Sequence, residues 1–329
     1  MPPTRRRTFL VSAVALLAAP RVSFAQQRTR PFRIGVLIVP SASDFAPRTD
    51  ALRDGLRDLR YVDGKNTHIE FRSAEGKFDR LPALAADLVR QNVDVIVVAG
   101  TPAIRAAKEA TSRIPIVIAA VGDAVAGGLV ANLSRPGGNI TGSTYFAPEL
   151  ATKQLEILRE ALPPVARVAV IFNPDNSGAR STLQAVESSA KSLNVQLEPF
   201  AVREPSDFDG TFATISRHRH RIALIIDDPI TISNAKALAD RAIGHRLATG
   251  GNFIEYAEAG GLMSYGVDLI AMWRRAAFFV DRILKGTHPG EIPVERATRF
   301  ELVINRRTAK AIEVDIAPSI FLRADRVIQ

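Results

Sequence analysis

Short polar residues recur just past apolar, β-branched runs, and that placement decides what chemistry they could do. Ser41 and Ser43 follow Phe32–Val39, Gly100-Thr101-Pro102-Ala103 follows Val93–Val98, and Gly122-Asp123 follows Ile114–Ala120. Ser143 and Tyr145 belong to the run Ile140–Tyr145, Asn173 follows Val165–Phe172, Asp228 follows Ile222–Ile226, and Tyr265 ends Gly260–Tyr265. In open α/β sheets ligands bind beyond the carboxyl ends of the strands. Thr101 suits an N-cap and Pro102 the first helical position, so the Gly100–Ala103 turn offers free helix N–H groups to an anion such as a carboxylate. Asp123 and Asp228 supply the opposite charge. Convergence of these groups on one cleft would suit a small zwitterion, with its carboxylate on the helix end and its ammonium on Asp123 or Asp228. Taken singly, each acid also reads as a helix cap or turn residue, and Gly-Thr-Pro as a plain cap.

Catalytic patterns are missing. The chain has no G-x-S-x-G elbow, no phosphate loop ending in Gly-Lys-Ser/Thr and no H-E-x-x-H pair. It has no cysteine, which removes disulfides, thiolate metal sites, a cysteine nucleophile and an anchor on an N-terminal cysteine. His218 and His220 flank Arg219, where positive neighbours repel a cation; a solvated helix end is the plainer reading. No catalytic residue, metal or cofactor is expected.

Alternating elements must position the polar groups. Val93–Asp123 reads as one βαβ unit: a strand buried on both faces, a helix from Ala103 to Thr111, and a second buried strand. The same order runs from Phe32 to Tyr145, with amphipathic helices at Arg48–Leu59 and Leu81–Gln91 and a helix-like Ala124–Leu133. It begins again at Pro148. Leu269–Lys285 reads as a long helix. The fold class is therefore α/β, with two doubly wound parallel-sheet lobes. Turn signals near Gly142 and Gly260 place lobe 1 at residues 31–143 plus 260–288 and lobe 2 at 144–259 plus 289–329.

The first 25 residues read as a separate object. Arg6-Arg7-Thr8-Phe9-Leu10 matches a twin-arginine signal, Val11–Ala19 is too short to span a bilayer, and Ser23-Phe24-Ala25 fits cleavage before Gln26. The formal charge of +9 falls when Arg5, Arg6, Arg7 and Arg21 leave with that segment. The remaining basic residues are spread along the chain, which argues against a nucleic-acid partner.

Several segments carry a family resemblance: Arg60–Asn66, Ala74–Val89, Gly100–Ala103, Ile114–Asp123, Leu133–Gly142, Ala147–Leu150, Gly260–Gly266 and Phe300–Asn305. With them the chain resembles substrate-binding proteins of ABC transporters, in the family that includes tryptophan- and phenylalanine-binding members. The resemblance implies a type I periplasmic-binding fold with a hinge of three crossings and a ligand closed between the lobes. It also implies a periplasmic, monomeric solute receptor that hands a small organic ligand, such as an amino acid or aromatic carboxylate, to a membrane permease. A sensory protein feeding a membrane receptor or kinase is the alternative. Arg60 stands where the family usually has glycine. Asp227-Asp228-Pro229 stands where Pro-Asp-Pro is common, which carries the acidic role to Asp228.

Overall fold

The computed structural model describes residues 30–163 and 166–329. The segment read as an export signal lies outside them. In chain order the elements of the first lobe are β1 (Phe32–Ile38), α1 (Ala46–Asp58), β2 (Thr67–Ser73), α2 (Leu81–Arg90), β3 (Val95–Ala99), α3 (Thr101–Ala110), β4 (Ile116–Ala120) and β5 (Ile140–Thr144). The chain then crosses into α4 (Ala147–Ala161), β6 (Arg167–Phe172), α5 (Ser177–Ser192), β7 (Gln196–Ala201), α6 (Asp207–Arg217) and β8 (Ile222–Ile225). There follow α7 (Pro229–Ser233), α8 (Ala235–Gly244), β9 (Ala248–Phe253), α9 (Glu255–Glu258) and β10 (Met263–Val267). The last elements are α10 (Leu269–Leu284), β11 (Glu295–Arg296), β12 (Glu301–Asn305), α11 (Arg306–Ala311), α12 (Pro318–Arg323) and β13 (Arg326–Ile328).

Two sheets result, ordered β11-β5-β4-β3-β1-β2 and β13-β12-β10-β9-β8-β6-β7. The chain passes between them three times: after β5, between β10 and α10, and between β11 and β12. Among the described residues all strand pairings are parallel except β10 with β12, where Met263 faces Ile304. The inner strands of lobe 1 carry β-branched residues on both faces because helices cover both. Ile34, Val36, Val95 and Val97 pack under Leu52 and Leu56 of α1 and Trp273 and Phe279 of α10. Leu37, Ile96 and Val98 pack under Leu81, Leu88 and Ile104 on the other side. Each such side chain, once fully buried, stabilises the fold by about 1.5–3 kcal/mol.

Three expectations change. The proposed lobe 1 segment 260–288 is divided: β10 pairs with β9 and β12 in the second sheet, whereas α10 packs on α1 and β4 of the first. Part of 289–329 goes the other way, since β11 pairs with β5. Strand pairing, not turn signals, sets these boundaries. Secondly, Ala124–Leu133 is not a helix. The Asp123 carboxylate accepts the N–H groups of Val125 and Ala126, and Gly128 adopts φ +67°, which closes a compact turn instead. Thirdly, α1 runs Ala46–Asp58 rather than Arg48–Leu59, so Leu59 stands past its end and is 39% exposed.

Candidate functional site: the cleft between the lobes

The carboxyl ends of both sheets face one cavity of about 170 Å³ between the lobes. Benzene fits a cavity of about 150 Å³, so the space suits a small metabolite and not an oligomer. Lobe 1 contributes the Gly100–Thr101 turn, Gly122, Asp123, Phe45 and Arg48; lobe 2 contributes Asn176, Ser177, Asp227 and Asp228. Tyr145, on the first crossing, and Trp273 of α10 add aromatic wall.

The lobes touch across the cleft. Gly100 (φ +78°) lies against Pro229, and a Cβ added there would meet Pro229 Cγ at 2.9 Å. Gly178 sits equally close to Thr101 Oγ1, 2.6 Å from an added Cβ. Only glycine permits these approaches. Arg48 of α1 reaches Glu255 of α9, with Nη2 donating to Oε1 at 3.3 Å. The crossings also contact each other: the Arg296 guanidinium lies 3.9 Å from the Phe146 ring centre, a cation–π contact.

The structure brings six of the expected residues to the cavity wall: Gly100, Thr101, Gly122, Asp123, Tyr145 and Asp228. It separates the others. Ser41 and Ser43 hydrogen-bond each other at 3.0 Å on an exposed loop, and Ser41 also bonds Asp44. Ala103 is fully buried in the core, and Pro102 follows Thr101 in the first turn of α3 without reaching the wall. Ser143 lies on β5 beside Glu295, in a separate groove. Tyr265 packs its ring against Phe300, 6.3 Å away. Asn173 stands one layer behind the wall, where its Nδ2 donates to Asp228 Oδ1 at 3.2 Å.

Asp228 is 1% exposed and has a structural duty. It caps α7: Oδ1 accepts the Ile230 N–H at 2.8 Å, and Thr231 Oγ1 returns the favour to the Asp228 N–H. Oδ2 accepts from Asn176 Nδ2 at 2.9 Å, and Asn176 in turn caps α5 through Gly178 N–H. Burial pushes the Asp228 carboxyl up to about 6 against the pull of these donors. Asp227 is the acid that sequence reasoning passed over. Its Oδ2 accepts from Tyr145 Oη at 2.5 Å and its Oδ1 from Asn252 Nδ2 at 2.6 Å, and burial raises its pKa too. Arg48, 6% exposed, is the other omission. One signal could have found it: a cation in the first turn of a helix opposes the helix dipole and needs a reason.

Outside the cleft, His218 is the exposed C-cap of α6, as expected of a solvated helix end, whereas His220 is buried. Both hydrogen-bond Glu198, His220 at 2.8 Å and His218 at 2.6 Å, and these bonds hold its pKa down at about 2; the Arg167 guanidinium meets the same carboxylate.

Comparisons with known proteins agree with this architecture. The chain is 25% identical over 272 residues to the tyrosine-binding protein of Clostridioides difficile strain R20291, covering 82% of this chain and 78% of that one. A conserved domain protein from Vibrio cholerae O1 biovar El Tor superposes with a TM-score of 0.84 at 27% identity, over 91% of this chain and 100% of that one. An ABC domain from Streptococcus pneumonia in complex with L-Trp gives 0.82 at 24% identity, with the same coverage. The fold is that of type I periplasmic-binding proteins. The model of the family described as ABC transporter substrate binding protein matches residues 33–328, so the chain belongs to that family, whose members bind a solute rather than convert it.

Proposed function

We propose that this protein is the exported solute receptor of an ABC importer, closing on a small amino acid with an aromatic or other apolar body and passing it to a membrane permease. The observation that carries this reading is the cavity itself: a space of about 170 Å³ between two lobes, with Arg48, Asp123 and helix-end groups on one wall, Asp227 and Asp228 on the other, and Phe45, Tyr145 and Trp273 around it. A ligand that touches both lobes favours the closed state, because only differential affinity shifts a hinge. The relatives that bind L-Trp and tyrosine support the choice of ligand class.

A thermal-shift screen of L-tryptophan, L-tyrosine and L-phenylalanine, with a hexose as control, tests the reading. Ligand at 100 times its Kd adds about 2.7 kcal/mol of stability. At roughly 2–4 °C per kcal/mol, that is a rise of several degrees. A shift from the hexose alone would sink it. Export rests on the twin-arginine pattern in residues 1–25 and on family membership; among the described residues no helix is long and apolar enough to cross a membrane. Amino-terminal sequencing of protein recovered from outside the cytoplasmic membrane should start at Gln26. Recovery only from the cytoplasm, with Met1 retained, would end that part of the reading.

A further inference from the structure

Arg48 is a buried cation whose donors are largely unspent. It lies in the first turn of α1, where the dipole disfavours it, and it lines the cavity. Its bond to Glu255 is 3.3 Å, long beside the 2.7–2.9 Å of a good charge-assisted pair. Its Nε has no partner, and neither has Glu255 Oε2. Phe45 offers a ring face 5.2 Å from the guanidinium carbon but accepts no hydrogen bond. A guanidinium carries five N–H donors in a fork that matches a carboxylate. Burying it with so few acceptors is costly unless something else arrives.

The turn at Gly100–Ala103 is a poorer receiver than its sequence promises. Pro102 has no N–H, Gly100 is pressed on Pro229, and Thr101 on Gly178. A carboxylate there would have to part the lobes.

We propose that Arg48 is the specificity-determining residue that receives the ligand's carboxylate, its interlobe pair with Glu255 being the contact that holds the guanidinium at the cavity wall. This rests on the reading of the cavity as an amino-acid site. Arg48 then couples recognition to closure, since the group that meets the ligand also ties α1 of lobe 1 to α9 of lobe 2.

Isothermal titration of L-tryptophan, L-tyrosine and L-phenylalanine, and of their carboxamides, separates the possibilities. On wild type, the best-binding acid should exceed its amide by about 30-fold or more, the scale of losing one partner of a buried charge pair. In Arg48→Gln that preference should collapse to within a few-fold, through loss of acid binding and not of amide binding. Arg48→Lys, which keeps the charge and loses the fork, should fall between. Arg48→Lys also serves as the readout should Arg48→Gln fail to fold, and Glu255→Gln, which loosens the guanidinium, should lower the preference without abolishing it. Equal losses for acid and amide in Arg48→Gln, or the full wild-type preference retained in Arg48→Lys, would overturn the assignment alone. No binding by any of the three acids to wild type would overturn the amino-acid reading and this assignment with it.

Discussion

Lobe 1 meets the cavity with backbone at Gly100 and Thr101 and with the guanidinium of Arg48, while lobe 2 meets it with Asp227 and Asp228. Arg48 has donors to spare. The acids of lobe 2 are already engaged, Asp228 by three donors within its own lobe and Asp227 by Asn252 and the Tyr145 hydroxyl. A carboxylate on a cavity wall is therefore not by that fact a ligand contact. In lobe 2 the acids first fix α5, α7 and the crossing at Tyr145.

Removing Asp228 should break this contrast most visibly. Asp228→Ala strands the amides of Asn173 and Asn176 and the N–H of Ile230. The expected loss is about 3–5 kcal/mol, read as a lower urea midpoint without added ligand. Wild-type stability combined with lost ligand affinity would return Asp228 to the role of ligand contact.

pH gives the next effect. Burial raises Asp228 to about 6 and Glu255 to about 7. Between roughly pH 4 and 7 the folded protein holds protons that the unfolded chain has released. Stability from these two groups is thus fully present below about pH 4 and is lost as pH rises through 6 and 7, on the order of 3 kcal/mol each. The melting temperature without ligand should fall from pH 5 to pH 8, and Glu255→Gln should flatten the upper part of that slope. A wild-type curve level across the window would remove the burial argument for both acids.

The lobe 1 side yields a smaller effect. Gly100→Ala forces an alanine to φ +78°, ψ 139° and sets its Cβ against Pro229. Strain of about 1–3 kcal/mol should appear in stability. Ligand affinity should fall about tenfold, with a larger radius of gyration in solution scattering, because closure is obstructed. Unchanged affinity and dimensions would show that Gly100–Pro229 is not where the lobes meet.

Periodicity made the scaffold legible: buried strands such as Val95–Ala99 and Ile116–Ala120 are continuous apolar runs, and Gly100-Thr101-Pro102 marks the start of α3, although Gly100 and not Thr101 is the N-cap and Thr101 is already helical. The site was legible only where a local pattern carried it. Asp228 before Pro229 is a readable N-cap, and the structure gives it that duty. Arg48 was hidden because its ion-pair partner, Glu255, stands 207 residues away in sequence. Ser41 and Ser43 satisfy the strand-end rule yet turn to each other, since the rule places a loop near the cleft and not its hydroxyls in it. The division at Asp268 escaped because β10 and α10 are adjacent in sequence and part company only through pairing and packing.

That division has a consequence for how the molecule is made. One face of lobe 1's sheet is covered only in part, by α1, until α10 emerges, and α10 follows nearly the whole of lobe 2. During synthesis at about 5–20 residues per second, the apolar face of β1, β3 and β4 that α10 will cover waits on the order of ten seconds for it. A ribosome stalled anywhere between Thr144 and Leu269 holds an amino-terminal half that cannot finish folding, so this chain ripens as a whole and not from its beginning.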